Sequence, residues 1–208
     1  MAVETRLVRS SDEGWLHQAI ACLRAGGLVA FPTDTVYGLG ALASDSDAVL
    51  RIYQAKGRPA EKSIPVLVAG WPDALTIAAP TPGARRLAET FWPGALTIVL
   101  RRRPEVPDAI GPEGTVGVRA PANTVALSLL ALTGPLATSS ANLSGRPSTT
   151  TAAEVLAELA GRVDLIVDGG AATGGVPSTV VDATGEQPSL VREGPITFDR
   201  VLAAWNAT

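Results

Sequence analysis

The sequence predicts an α/β protein built on a twisted sheet that mixes parallel and antiparallel strands, with helices around it. Helix-capping signals recur along the chain, and short apolar or β-branched segments lie between them, so helices and strands interleave. The interleaving breaks near residues 95–118 and after residue 165, where one strand segment follows another. Strands that follow each other directly indicate a mixed sheet and not a purely parallel, doubly wound one.

In the first half of the chain, three helices are predicted from capping pairs and glycine stops. The caps are Ser10 with Glu13, Ser44 with Asp47, and Thr81 with Pro82, and the first two helices end near Gly26 and Gly57. Strands are predicted at residues 28–31, 64–68 and 95–100. Pro65 places the second of these at a sheet edge or at a strand start.

In the second half, helices are predicted from Asn123 to Leu132, after a Thr151–Glu154 capping box, and over residues 198–205. Short strands are predicted at residues 115–118, 165–167, 179–181 and 190–192. No repeat or linker divides the chain, so we expect one domain over residues 1–208.

Composition excludes several classes of protein. The net charge of −3 argues against broad binding to bulk nucleic acid, so any polyanion site must be local. Cys22 is the only cysteine, which excludes an internal disulfide and fits a reducing compartment. We find neither a signal peptide nor an apolar run long enough for a bilayer, and expect a cytoplasmic protein without membrane contact.

Two segments are candidates for ligand binding. Residues 32–38, PTDTVYG, follow a predicted strand directly, where ligands bind in open α/β sheets; the alternative is a plain turn. Lys56, Arg58 and Lys62 lie close together on the next loop and could clamp phosphates. Cations at the end of a helix are also stabilised by its dipole without any ligand.

Two further loops carry small residues. Residues 138–145, TSSANLSG, offer hydroxyl and backbone N–H groups suited to a phosphate, although a polar surface loop has the same composition. Residues 168–175 are rich in glycine but lack the ending of a Walker A loop, so a flexible turn is favoured there.

The catalytic options are narrow because His17 is the only histidine and Cys22 the only cysteine. Both lie on the first predicted helix, so metal sites made of His and Cys, and Ser-His-Asp catalysis, are effectively excluded. What remains is electrostatic positioning, carboxylate chemistry, or a metal carried in with a nucleotide.

The ordered set of motifs from about Gly27 to Gly194 resembles the YrdC-like family of L-threonylcarbamoyladenylate synthases. The matching segments are PTDTVYGLG, the K-x-R-P segment, WPGALTIVL, TVGVRAP, SSANLSG, PSTVVD and VREG. The resemblance implies a twisted mixed sheet with a basic concave groove. It also implies synthesis of threonylcarbamoyl-AMP from L-threonine, bicarbonate and ATP with Mg²⁺, followed by transfer to tRNA by a partner threonylcarbamoyl transferase complex.

The resemblance also assigns residues. Those implied for threonine are Thr35, Arg119, Thr138 and Ser178, and those implied for the nucleotide are Lys56, Arg58, Lys62, Thr115, Ser140, Asn142, Ser148 and Arg192. Lys56 and Arg58 are expected to stabilise phosphate charge, and no general base is assigned. Phosphoryl-centred substitution needs mainly alignment and charge stabilisation, which agrees with this inventory.

The sequence departs from the family pattern in two respects, and two other functions remain as alternatives. Lys62-Ser63-Ile64 stands where the family often has Lys-Pro-Leu or Asn-Pro-Leu, and longer members carry an extra C-terminal domain. The alternatives are an RNA-binding module that uses the groove, including weak RNA binding beside catalysis, and a carbamoyl-handling enzyme with another acceptor. An aromatic content of 4% weighs against the first alternative.

Overall fold

A single mixed sheet organises the residues described by the structure, a computed structural model that covers residues 3–111 and 114–207. The strands are β1 (Arg6–Arg9), β2 (Val29–Phe31), β3 (Gly38–Leu42), β4 (Val66–Leu67), β5 (Ala78–Ala79), β6 (Leu96–Arg102), β7 (Thr115–Arg119), β8 (Leu136–Ser140), β9 (Leu165–Asp168), β10 (Thr179–Asp182) and β11 (Ser189–Arg192). The helices are α1 (Trp15–Arg24), α2 (Ser46–Lys56), α3 (Trp71–Ile77), α4 (Pro82–Phe91), α5 (Thr124–Thr133), α6 (Ala152–Leu159) and α7 (Phe198–Trp205).

The strand order is β1-β9-β2-β3-β8-β4-β7-β6-β10-β11, with β5 paired to β6. Strand β9 runs parallel to both β1 and β2, β4 runs parallel to β7, and β6 runs parallel to β10. The remaining neighbours are antiparallel. The prediction of a mixed sheet is therefore confirmed.

Side chains alternate between two hydrophobic clusters, one on each face of the sheet. Phe31, Leu136 and Val167 pack with α1 and α5 on one face, which we call the α1/α5 face. Their chain neighbours Ala30, Ala137 and Ile166 belong to the larger cluster that includes α2, α4, α6 and α7. Within the described ranges, we find no helix long and apolar enough to cross a membrane.

Most of the predicted helix signals are confirmed. The Thr81 hydroxyl accepts from the backbone N–H of Ala84, Asn123 caps α5, and Thr151 and Glu154 form a reciprocal capping box. Gly57 ends α2 with a φ of 59°, a left-handed conformation that glycine adopts without strain.

Two predicted caps are wrong. Helix α1 begins at Trp15 after Gly14, without a side-chain cap, because Asp12 bonds the backbone of Arg9 and residues 10–14 form turns before the helix. Helix α2 is capped by Asp45 and not by Ser44. In α2 the acidic residue next to the predicted cap accepts the backbone hydrogen bond, and before α1 Asp12 accepts one that closes a turn instead of starting the helix.

Several elements were not predicted: β1, β3, α3, the two-residue β5, and β8. Strand β3 reads GLGAL and β8 reads LATSS, so neither shows the β-branched alternation typical of a strand. The predicted polar loop at residues 138–145 is corrected accordingly, because its first three residues end β8. Strand β4 lies inside the sheet, and Pro65 precedes its first residue.

Candidate active site

A cleft of about 190 Å³ opens on the part of the α1/α5 face that the two helices leave uncovered. Leu136 packs under the helices, whereas Thr138 and Ser140, on the same side of β8, line the cleft. Eight of the predicted site residues line it: Thr35, Arg58, Arg119, Thr138, Ser140, Ser148, Ser178 and Arg192. The sheet thus brings together residues that are up to 157 positions apart in the sequence.

Arg119, at the end of β7, is the most deeply placed cation of the cleft, with 6% of its surface exposed. Its guanidinium donates to the Gly94 carbonyl at 2.9 Å and the Thr35 hydroxyl at 2.9 Å, and it pairs with the Asp34 carboxylate. A guanidinium has five N–H donors, so two remain, one on each terminal nitrogen. Burial lowers the pKa of Arg119 and the nearby Asp34 charge opposes this shift, so the cation stays paired.

Thr33 and Thr35 form a buried hydroxyl pair in the turn between β2 and β3. Their oxygens lie 3.0 Å apart, and Thr33 Oγ1 lies 2.7 Å from the Val36 carbonyl. A carbonyl only accepts, so the Thr33 hydrogen must point to Val36. Thr35 is then the donor within the pair, and its oxygen keeps only lone pairs for Arg119 and for the cleft.

Thr97 and Ser178 form a second hydroxyl pair, 2.7 Å apart, on the opposite wall. Arg192, at the end of β11, donates through Nε and one terminal nitrogen to the Ser178 carbonyl. A Cβ at Gly194 would lie 2.4 Å from the Thr179 nitrogen, so only glycine permits this close approach of the β11 end to Ser178.

Arg58 and Arg192 carry positive charge into the cleft without a carboxylate in contact among the ion pairs of the described residues. Arg58 donates to the carbonyls of Lys62 and Ser63. Burial lowers the pKa of Arg192, and the charge of Arg58 lowers it further. Two cations that repel each other create a region where an anion binds favourably.

Lys56 does not line the cleft; it lies behind it with 2% of its surface exposed. Its ammonium donates to the carbonyls of Ser140 and Asn142 and so holds the loop after β8. Burial, and secondarily the charge of Arg58, lowers the pKa of Lys56 to about 8, while Glu158 opposes the shift. In this geometry Lys56 bonds the protein backbone, not the cleft.

Asn142 lies in the same loop, with its amide orientation fixed by two carbonyls. Nδ2 donates to the Leu143 and Arg146 carbonyls at 2.8 Å each. The Oδ1 atom is buried and has no hydrogen-bond partner in the described part of the chain. A buried acceptor of this kind is usually satisfied by an ordered water.

Lys62 and Thr115, like Lys56 and Asn142, are absent from the cleft lining. Thr115, Gly117 and Arg119 point to the same side of β7 by strand alternation. A Cβ at Gly117 would approach Thr97 Cγ2 to 3.0 Å, so glycine there lets the Thr97 side chain pack close to the β7 backbone.

Sequence reasoning missed several lining or contacting residues, chiefly Thr33, Asp34, Thr97 and Tyr37. Thr33, Asp34 and Tyr37 stand inside the PTDTVYG segment, which is a predicted candidate for ligand binding. Their location was therefore predicted, but their individual roles were not. Thr97 sits in an apolar strand, and its role becomes visible only when β6 and β10 pair. Its hydroxyl is a feature that no local pattern marks.

The fold and the cleft together define a mixed-sheet α/β protein with a polar, arginine-lined ligand site on one sheet face. The chain belongs to the Sua5/YciO/YrdC family, whose model, described as "Telomere recombination", matches residues 21–194. Two relatives are the threonylcarbamoyl-AMP synthases of Pyrococcus abyssi and Bacillus subtilis, each 44% identical over 93% of this chain. The chain spans 58% and 57% of the length of these relatives.

Solved structures agree with the fold. Pyrococcus abyssi Sua5 complexed with L-threonine superposes with a TM-score of 0.90 at 43% identity, covering 96% of this chain and 60% of that one. Escherichia coli YciO superposes with a TM-score of 0.86 at 29% identity, covering 96% of this chain and 100% of that one. The prediction of a YrdC-like fold is confirmed.

Proposed function

We propose that this chain forms L-threonylcarbamoyl-AMP from L-threonine, bicarbonate and ATP and releases pyrophosphate. The observation that carries the proposal is the union, in one cleft, of an amino-acid-sized polar pocket around Arg119 with the unneutralised Arg58–Arg192 pair. Such a site suits an amino acid beside a nucleotide phosphate. The names of the relatives support the same activity.

The amino-acid half rests on complementary donors and acceptors. The two remaining N–H groups of Arg119 suit a carboxylate. The Thr138 hydroxyl donates to the Leu136 carbonyl at 3.0 Å, so Thr138, like Thr35, offers only lone pairs to the cleft. One cationic donor and two acceptors match the carboxylate and the nitrogen of an α-amino acid.

The nucleotide half rests on Arg58 and Arg192, assisted by the hydroxyls of Ser140 and Ser148 that line the same cleft. A polyphosphate would relieve the repulsion between the two guanidiniums. The exposed Lys62 stands at the loop that holds Arg58, and Thr115, on the same side of β7 as Arg119, is the candidate contact for the rest of the nucleotide.

The reaction needs positioning more than acid–base groups. The threonine nitrogen takes up bicarbonate to give a carbamate with loss of water. A carbamate oxygen then forms a bond to the α-phosphorus of ATP as the bond to pyrophosphate breaks. Arg119 holds the carboxylate, and Arg58 and Arg192 stabilise the negative charge on the phosphates in the transition state.

Mg²⁺ fits this site as an ion bound mainly by ATP. Among the described residues no group of three or more His, Cys, Asp or Glu side chains is arranged to hold a metal. Mg²⁺ commonly binds substrate phosphates with few protein ligands. Bound to ATP, the ion would neutralise part of the phosphate charge.

The product carries an activated acyl-phosphate linkage, so it must be consumed by an acyl acceptor. We propose that a tRNA-modifying threonylcarbamoyl transferase complex in the cytoplasm takes it up. Mixing the purified chain with candidate transferase proteins, tRNA, ATP, L-threonine and bicarbonate, and measuring threonylcarbamoyl-adenosine in the tRNA, tests this step.

The activity itself is tested by following pyrophosphate release. We expect release only when ATP, Mg²⁺, L-threonine and bicarbonate are all present, and a fall of about 100-fold in kcat/KM for ATP in Arg58→Ala. Arg85→Ala is the matched control, because Arg85 makes only an exposed pair with Glu89. Release independent of threonine or bicarbonate would refute the proposal, and normal turnover in Arg58→Ala would make Arg58 a purely structural cation.

A further inference from the structure

We propose that Thr33 is a positioning residue that fixes the Thr35 hydroxyl as a hydrogen-bond acceptor, so that the cleft selects a ligand with a donor next to its carboxylate. The inference rests on the proposed function and deepens it, because it names the part of the amino acid that Thr35 recognises. That part is the nitrogen.

The hydrogen bonds of Thr33 leave one arrangement of hydroxyl hydrogens. Thr33 Oγ1 accepts from the backbone N–H groups of Thr35 and Val36 at 3.2 and 3.3 Å and donates to the Val36 carbonyl at 2.7 Å. If its hydrogen turned to Thr35, two oxygens would face each other at 2.7 Å without a hydrogen between them, which is unfavourable. Thr35 therefore donates to Thr33.

The other side of Thr35 is fixed as strongly. Arg119 donates to Thr35 Oγ1 at 2.9 Å, which would be impossible if the Thr35 hydrogen pointed at the guanidinium. Asp34 holds the same guanidinium and also accepts from the Ala122 backbone N–H at 3.0 Å. The Thr33-Asp34-Thr35 turn thus orients the two remaining N–H donors of Arg119 and also fixes the Thr35 hydroxyl oxygen as an acceptor.

Burial makes this polarity persistent. Thr33 and Thr35 are 3% and 1% exposed, so bulk water does not offer the Thr35 hydrogen another partner. A cleft with fixed lone pairs beside a guanidinium favours a positively charged or N–H-bearing nitrogen and disfavours a bare carbonyl or a second carboxylate at that position.

The test compares two ligands in three variants by calorimetry: L-threonine and (R)-3-hydroxybutyrate, which lacks only the amine. The wild type should bind L-threonine more tightly. In Thr33→Val the Thr35 hydroxyl loses its acceptor and can point into the cleft, so we expect L-threonine affinity to fall about tenfold, with the affinity for (R)-3-hydroxybutyrate unchanged. Thr33→Ser should restore the discrimination.

Thr5→Val is the matched control. Thr5 also donates to a carbonyl, that of Val163 at 2.6 Å, and accepts a backbone N–H, that of Gly161 at 2.9 Å. It lies before the start of β1, at the end of the parallel β1-β9-β2 segment opposite to Thr33. Its loss should cost stability without changing the ratio of the two affinities.

Three results would overturn the inference. One is the same ratio of affinities for L-threonine and (R)-3-hydroxybutyrate in Thr33→Val and in the wild type. Another, which needs no variant and holds even if Thr33→Val fails to fold, is wild-type protein that binds (R)-3-hydroxybutyrate as tightly as L-threonine. A wild type that binds neither ligand and releases no pyrophosphate refutes the proposed function as well, whereas the first two results leave that function standing.

Discussion

At the scale of single residues, the cations around the cleft differ in what neutralises them. Arg119 is paired with Asp34, Arg58 and Arg192 line the cleft without a carboxylate partner among the ion pairs of the described residues, and Lys56 is buried against backbone carbonyls. The first three can meet a ligand directly. Lys56 acts instead on the loop after β8, and through it on Ser140, which lines the cleft.

The burial of Lys56 predicts a pH dependence of stability. Its pKa is about 8 in the folded protein against 10.5 for the ordinary group. Between these values the unfolded chain binds more protons, so the contribution of Lys56 to the free energy of unfolding rises with pH. We expect the difference between wild type and Lys56→Met, measured by denaturant unfolding, to shift in favour of the wild type from pH 8 to 10.5.

Lys62→Met controls for the loss of one positive charge, because Lys62 is exposed on the neighbouring loop. A wild-type minus Lys56→Met difference that stays flat or falls across this pH window would contradict the buried ammonium. Pyrophosphate release measured across the same pH range reports whether the loop after β8 keeps its geometry when Lys56 loses its proton.

At the scale of elements, the glycine-rich segment between β9 and β10 supports the turn that carries Thr35. The Gly175 N–H donates to the Thr35 carbonyl at 2.8 Å, and the Tyr37 hydroxyl donates to the Gly170 carbonyl at 2.7 Å. A Cβ at Gly174 would lie 2.5 Å from the Asp34 carbonyl oxygen. The segment predicted as a flexible turn is therefore anchored, and glycine is required for its contact.

Gly174→Ala should displace the turn between β2 and β3. The contact is with backbone atoms, which cannot rotate away, so we expect Thr35 and Asp34 to shift by a few tenths of an ångström or more. The result should be a rise of about tenfold in KM for L-threonine with a smaller change in KM for ATP, measured by pyrophosphate release.

Gly185→Ala is the matched control for this substitution. A Cβ at Gly185 meets only the Gln187 carbonyl oxygen at 3.7 Å, an ordinary contact. If Gly174→Ala and Gly185→Ala have the same KM for both substrates, the glycine-rich segment does not position the threonine site.

At the scale of the whole molecule, a net charge of −3 coexists with three arginines that converge on one cleft. Their convergence depends on strand order, since Arg58, Arg119 and Arg192 come from separate parts of the chain. A surface of low total charge thus carries a local anion site. This agrees with the absence of a basic excess in the composition.

The sequence was informative where structure is local. Capping at Thr81, Asn123 and Thr151 depends on three or four neighbouring residues and was predicted correctly. Strands β3 and β8 were missed because their glycine, serine and threonine are stabilised by strands distant in sequence. Family motifs located the cleft, but the contact between Asp34 and Arg119 forms only after folding.

Because residues between positions 33 and 192 line the cleft together, ligands should stabilise the whole fold and not one loop. A ligand at 100 times its Kd that binds only the native state adds about 2.7 kcal/mol to the free energy of unfolding. We expect Mg·ATP and L-threonine each to raise the midpoint of denaturant unfolding. In Arg119→Lys, which keeps the charge but loses the bidentate guanidinium, the effect of L-threonine should shrink while that of Mg·ATP remains.

Hydrogen exchange should slow in both β2 and β10 on threonine binding, since Thr35 follows one and Ser178 precedes the other. Protection confined to one of these strands would contradict a cleft in which threonine binding stabilises β2 and β10 together. An equal loss of both ligand effects in Arg119→Lys would contradict the assignment of Arg119 to the amino acid.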